Sequence, residues 1–188
     1  MTERTIQGRD VYYELEGVED NEELEKYLEL IVPYVGWIVV YFNSLEGIIS
    51  DFIREAILRD PLQDERLDVF LSEMQFAGKC RALIHLYGQM IESGTVKLTQ
   101  DDLKRLEELL NECAKRRNEY AHADWIGLKK EGYVRVKKQS KKTGIFDRYK
   151  KFEIPQMEED IKFIHKARHD LDEFNEEIAN QLYGRETS

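Results

Sequence analysis

The residues most able to do chemistry lie in one short segment, Lys115-Arg116-Arg117-Asn118-Glu119-Tyr120-Ala121-His122-Ala123-Asp124-Trp125. Arg117, Asn118 and His122 put a guanidinium, a carboxamide and an imidazole within six residues. These groups suit attack on a phosphodiester. Histidine exchanges a proton near neutral pH, arginine carries a permanent charge on a planar fork that matches phosphate oxygens, and asparagine can orient either by hydrogen bonding. On a continuous helix Asn118 and His122, four apart, lie about 40° from each other, whereas Arg117 and His122 lie about 140° apart. The arginine must therefore reach across with its long arm, or the helix must break near the motif. The same residues also fit a plainer role, with Arg117 and Asn118 capping a helix and His122 packed under Trp125.

Charge is concentrated around this segment. Lys115 to Lys151 holds thirteen Lys or Arg against Glu119, Asp124, Glu131 and Asp147, a net of +9. The whole chain carries −10, which leaves −19 for the rest and argues against a protein that coats nucleic acid over its whole surface. A basic stripe on an acidic body is an electrostatic footprint of phosphate binding. Lysines on exposed hairpin edges also protect against aggregation. Lys115, Lys137, Lys138, Lys141 and Lys142 are the candidate phosphate contacts.

Four apolar patterns must position the segment. Tyr34 to Ile57 advances by threes and fours, as does Asp64 to Ile91, each predicting a helix. Ser93-Gly94 stops the second, and Thr99 reads as the N-cap of a third that carries Leu103, Leu106, Leu110 and Cys113 toward Arg117. Pro155 suits the first turn of a last helix through Leu182. Between the third and fourth, about residues 126–154, Tyr133-Val-Arg-Val and Lys151-Phe-Glu-Ile alternate around the turn Ser140 to Gly144, which predicts a β-hairpin. Residues 1–33 read as an irregular acidic arm with a short helix, Asn21 to Leu30, stopped near Pro33. The expected fold is mainly α: a four-helix up-and-down bundle, residues 34–188, with an inserted hairpin.

Arg117-Asn118-x-x-x-His122 resembles the R-x4-6-H motif of the HEPN superfamily, in which a polar residue, often Asn, follows the arginine. Small residues flank the histidine (Ala121, Ala123), an aromatic follows (Trp125), and the order of elements over about residues 34–183 is similar. Asp124 departs from that pattern, as does the basic hairpin, which reads as an insertion. The resemblance implies a metal-independent endoribonuclease, of a kind that serves as toxin or antiviral defence effector, or else a noncatalytic helical module that binds a nucleotide, nucleic acid or partner protein. For a nuclease, His122 would take the proton of a ribose 2′-hydroxyl, Arg117 would stabilise the developing phosphoryl charge, and Asn118 would hold one of them in place. The acid for the leaving oxygen would come from a second motif across a homodimer, since family sites are composite. Tyr120 is a weaker source, with an ordinary pKa near 10. Glu46 on the first long helix could orient Arg117, and Arg116 is a further supporting candidate. RNA, a second copy of the chain and a cognate antitoxin are the implied partners.

Other residues lead elsewhere. His165 and His169 are spaced i,i+4 and could share a metal with Asp172 or Glu173, though a solvated flank explains them too; no metal or cofactor is expected. His85 reads as a packed histidine. Cys80 and Cys113 lack C-x-x-C spacing and read as buried apolar fillers. No P-loop or G-x-G-x-x-G occurs. The longest apolar run, Ile31 to Phe42, is twelve residues, short of the roughly 20 that a membrane span needs, so a cytoplasmic protein is expected.

Overall fold

The computed structural model describes residues 3–184. In chain order the elements are β1 (Glu3–Gln7), α1 (Val11–Glu14), α2 (Asn21–Ile57), α3 (Asp68–Glu73), α4 (Phe76–Glu92), α5 (Gln100–Ala121), the 3₁₀ turn Trp125–Gly127, β2 (Tyr133–Lys141), β3 (Gly144–Lys151) and α6 (Ile154–Tyr183). The chain is mainly helical, with one small antiparallel sheet ordered β1-β3-β2.

Two compact units divide it. One comprises residues 1–39 and 116–162, the other residues 40–115 and 163–188. The second unit is helical. Its buried residues include Leu45, Ile49 and Ile53 of α2, Leu83 and Tyr87 of α4, Leu110 of α5, and Ile164 and Leu171 of α6. Aromatic contacts join these elements: Phe42 with Phe76 at 4.4 Å between ring centroids, and Tyr87 stacked on Phe174 at 5.6 Å. Cys80 and Cys113 are buried thiols, and burial pushes the Cys80 thiol up to about 12.

The start of α5 follows from a reciprocal cap. Asp102 donates its backbone N–H to Thr99 Oγ1 at 3.2 Å, while Thr99 donates its own N–H to Asp102 Oδ2 at 3.1 Å. Gly94, at φ +72°, closes α4 in the left-handed conformation that favours glycine.

Four expectations need correction. Pro33 does not stop a helix, because α2 runs through it for 37 residues. The lost backbone bond is local, whereas Ile31 and Ile38 on either side are buried at 2% and 0% exposure, and that burial favours continuing the helix. The helix so formed is long and apolar enough to cross a membrane by length and composition, a test that a core helix also passes. The pattern from Asp64 to Ile91 is two helices, parted where Met74 and Gln75 turn extended. A two-residue extension leaves a period of three and four almost undisturbed, so periodicity could not see it.

The third correction concerns the hairpin, whose second strand is Gly144–Lys151, while Ile154 already begins α6. β3 is central, with β1 on one side and β2 on the other, and Arg148, Lys150 and Lys151 pair with Glu3, Glu119 and Glu131, so its polarity does not alternate. The fourth lies in the arm, where residues 3–7 form a strand. β1 pairs with β3 from Glu3↔Lys150 to Gln7↔Phe146. Ile6 is its one buried side chain, joining Leu15, Tyr133 and Tyr149 in a small core. A five-residue strand with one apolar anchor has no legible period.

Candidate functional site

The segment from Arg116 to Trp125 lies in the sheet-containing unit. α5 stays helical through Ala121, and the His122 backbone N–H still donates to the Asn118 carbonyl at 3.2 Å. The helix therefore breaks after the motif, and Asn118 and His122 keep the i,i+4 relation. Arg117 Nη1 donates to Oδ1 of its neighbour Asn118 at 3.0 Å. Asn118 and His122 are exposed, and Arg117 is half-buried. His122 is therefore not packed beneath Trp125. The indole instead donates Nε1–H to the Tyr120 carbonyl at 3.0 Å and lies against Phe152, 4.9 Å between centroids.

Behind the motif stands a polar network that the sequence analysis missed. Asp160 of α6 is 4% exposed and accepts from Arg116 Nη1 at 2.8 Å, from the Tyr120 hydroxyl at 2.5 Å and from Gln156 Nε2 at 3.3 Å. Tyr120 is fully buried against Phe152. Burial and then the hydrogen bond to Asp160 raise its pKa above the ordinary phenolic value. A hydroxyl so held serves structure rather than proton donation, and the same is true of the Arg116 guanidinium. One signal was available: Asp160 falls in the apolar register of α6, three after Met157 and four before Ile164. An acid on an apolar stripe calls for partners on a neighbouring element.

The other face of the α5 terminus binds the sheet. Glu119 accepts from Arg148 Nη2 and from Lys150 Nζ, each at 2.7 Å. Burial pushes its carboxyl up, but the hydrogen bonds and charges of Lys150 and Arg148 outweigh it and hold the group below the usual carboxylate range. A depressed pKa contributes stability above the unfolded value, about 4.3, and loses it as pH falls through the folded value. Glu119→Gln should therefore cost about 1–2 kcal/mol near pH 7, and the cost should shrink as pH falls below the unfolded value and vanish once it passes the depressed folded value, where wild type carries the neutral carboxyl too. Urea denaturation of both proteins across that range checks it, and a cost independent of pH would refute the assignment.

Asp124, the acidic departure, caps the 3₁₀ turn and pairs with Arg135 Nη2 at 2.8 Å. Its charge is offset where β2 begins. Lys137, Lys138, Lys141 and Lys142 are exposed on β2 and the following turn, and Lys115 is exposed with Glu112 at 3.1 Å. Comparison of the chain with family models, with curated proteins and with solved structures gives no match.

The remaining candidates have other partners. Glu46 accepts from Lys79 Nζ at 2.8 Å within the helical unit. His165 meets the Tyr41 ring edge-on at 5.1 Å, and His169 faces Glu173 at 3.3 Å. His85 is exposed rather than packed, since the α-helical step turns it away from buried Ile84.

Proposed function

We propose that the chain is a metal-independent endoribonuclease of the HEPN type that cleaves RNA through the ribose 2′-hydroxyl. The observation that carries this reading is the Arg117–Asn118 contact at 3.0 Å, with exposed His122 four residues on from Asn118 at the end of α5. In this reading the long helices form a HEPN-like four-helix up-and-down bundle, and the sheet is built on an insertion.

His122 removes the 2′-hydroxyl proton, and the oxygen attacks the adjacent phosphorus. Negative charge grows on the non-bridging oxygens, where the Arg117 fork stabilises it, and Asn118 holds that fork in direction. The 5′-oxygen leaves with a proton from a second acid. With Tyr120 committed to Asp160, the nearest supply is His122 of a second copy. The products are a 2′,3′-cyclic phosphate and a 5′-hydroxyl, and DNA is inert for want of the 2′-hydroxyl. A cytoplasmic toxin or defence effector restrained by an antitoxin protein is the setting this chemistry suits.

Incubating purified protein with labelled RNA in EDTA, beside a His122→Ala control, tests the activity. Cyclic-phosphate ends formed only by wild type support it. Absence of cleavage on every RNA tested leaves the noncatalytic binding module as the better account. The composite site makes a second demand: sedimentation at tens of micromolar should give a dimer, and a monomer there would count against two facing motifs.

A further inference from the structure

The sheet holds a carboxylate oxygen that no donor meets among the described residues. Asp147 lies in the middle of β3, directly opposite Ile6 on one side and Lys138 on the other. It is 5% exposed, and among the described residues its buried Oδ1 has no hydrogen-bond partner. Native proteins rarely leave a buried carboxylate oxygen without a donor, and such groups mark places where something else supplies one.

Asp147 borders a cleft of about 340 Å³ shared with Gln7, Gly8, Arg9, Lys138 and Ile145. Gly8 borders the Asp147 end: a Cβ there would sit in ordinary van der Waals contact, 3.6 Å from Asp147 Oδ2 and 3.6 Å from Ile145 Cγ2. The cleft thus offers an acceptor at its base, two cationic side chains, and an apolar wall in half-exposed Ile145. A matching ligand presents adjacent donors to the carboxylate, a flat body to the isoleucine and an anion to the cations. The volume suits a nucleotide, within the usual range for small-molecule sites.

Among the bases only guanine carries two adjacent donors, N1–H and the N2 amino group, on its pairing edge. Adenine and cytosine set a ring acceptor beside the amino group, where a carboxylate repels it. Uracil flanks its single N–H with carbonyls. The second dihedral of an aspartate is soft, so bidentate reading of a base requires the carboxylate to turn until Oδ1 faces the cleft beside Oδ2. We propose that this cleft binds a guanine nucleotide, the base read by Asp147 and the phosphate held by Lys138 and Arg9.

The nucleotide can be free or part of an RNA strand; only the second source rests on the nuclease reading. Calorimetric titration of the full chain with GMP, AMP, CMP, UMP and guanosine tests the recognition. GMP should bind on the order of tenfold or more tightly than the other three nucleotides, the scale of one bidentate base contact. Asp147→Asn should lose that margin and favour AMP or CMP, whose donor–acceptor pair matches a carboxamide. Lys138→Gln, at an exposed position where folding is not at stake, should weaken GMP but leave guanosine unchanged.

Short single-stranded RNAs with and without one guanosine, titrated into His122→Ala protein so that none is cut, separate the sources. Tighter binding of the guanosine-containing strand than of GMP assigns RNA, and equal affinity assigns the free nucleotide. Equal affinity for all four nucleotides, no binding of GMP at millimolar concentration, or a Lys138→Gln variant that weakens guanosine as much as GMP would each overturn the proposal. These titrations read binding alone. An uncut RNA alongside intact GMP binding would remove the nuclease reading and leave this one standing.

Discussion

His122→Ala and Arg117→Ala should each lower RNA cleavage by roughly 10² or more, the scale of a single general base or charge-stabilising donor. Both proteins should stay folded. His122 is exposed past the end of α5, and its backbone N–H, which bonds Asn118, survives the substitution. Arg117 is half-buried, and its contact with Asn118 lies at the surface, so its removal should cost less than the domain's total stability. Asn118→Ala should cut less deeply than Arg117→Ala, because it frees the guanidinium rather than deleting it.

Single-turnover cleavage with circular dichroism as the folding control decides these outcomes. The basic strand should respond differently. Changing Lys137, Lys138, Lys141 and Lys142 to Gln should weaken RNA binding and flatten its salt dependence, since fewer counterions are released, while turnover at saturation persists. A His122→Ala protein that cleaves at the wild-type rate would end the enzyme reading.

The second large effect is on stability. Asp160→Ala should cost about 3–5 kcal/mol, the range for removing one partner of a buried ion pair. The carboxylate is 4% exposed and serves Arg116, Tyr120 and Gln156 together. Without it the guanidinium and the buried hydroxyl lose their shared acceptor. Against a total domain stability of about 5–15 kcal/mol such a loss is severe, and urea denaturation would show it as an early midpoint.

Asp160→Asn keeps one acceptor oxygen and should cost less. Tyr120→Phe removes a single hydrogen bond and should cost about 1–3 kcal/mol. A change below about 1 kcal/mol for Asp160→Ala would mean that water replaces the carboxylate, and the network would then not hold the end of α5 to α6.

The candidate motif was legible because its residues are close in sequence. Arg117, Asn118 and His122 fall within six positions, so helical geometry alone states which can share a side, and the structure adds the contact of Arg117 with Asn118. The Thr99–Asp102 cap and the left-handed Gly94 were legible for the same reason: each is a contact or a dihedral within a few residues. The mainly helical class followed from apolar spacing summed over long segments, which a single break does not erase.

What surrounds the motif depends on residues far apart in the chain, and no local period encodes such pairs. Asp160 meets Arg116 and Tyr120 from 40 or more positions away, and Glu119 meets Arg148 and Lys150 from about 30. β1 was invisible because its ladder partner lies more than 130 residues on. Pro33 misled for the opposite reason. Its effect on the backbone is local and strong, whereas the burial of Ile31 and Ile38 that overrides it exists only once the helix is packed. Sequence by itself determined the helical class and which groups could act together at the end of α5. Tertiary structure decided which charges hold that end in place and left Asp147 Oδ1 without a donor among the described residues, because burial and long-range pairing are properties of the folded chain.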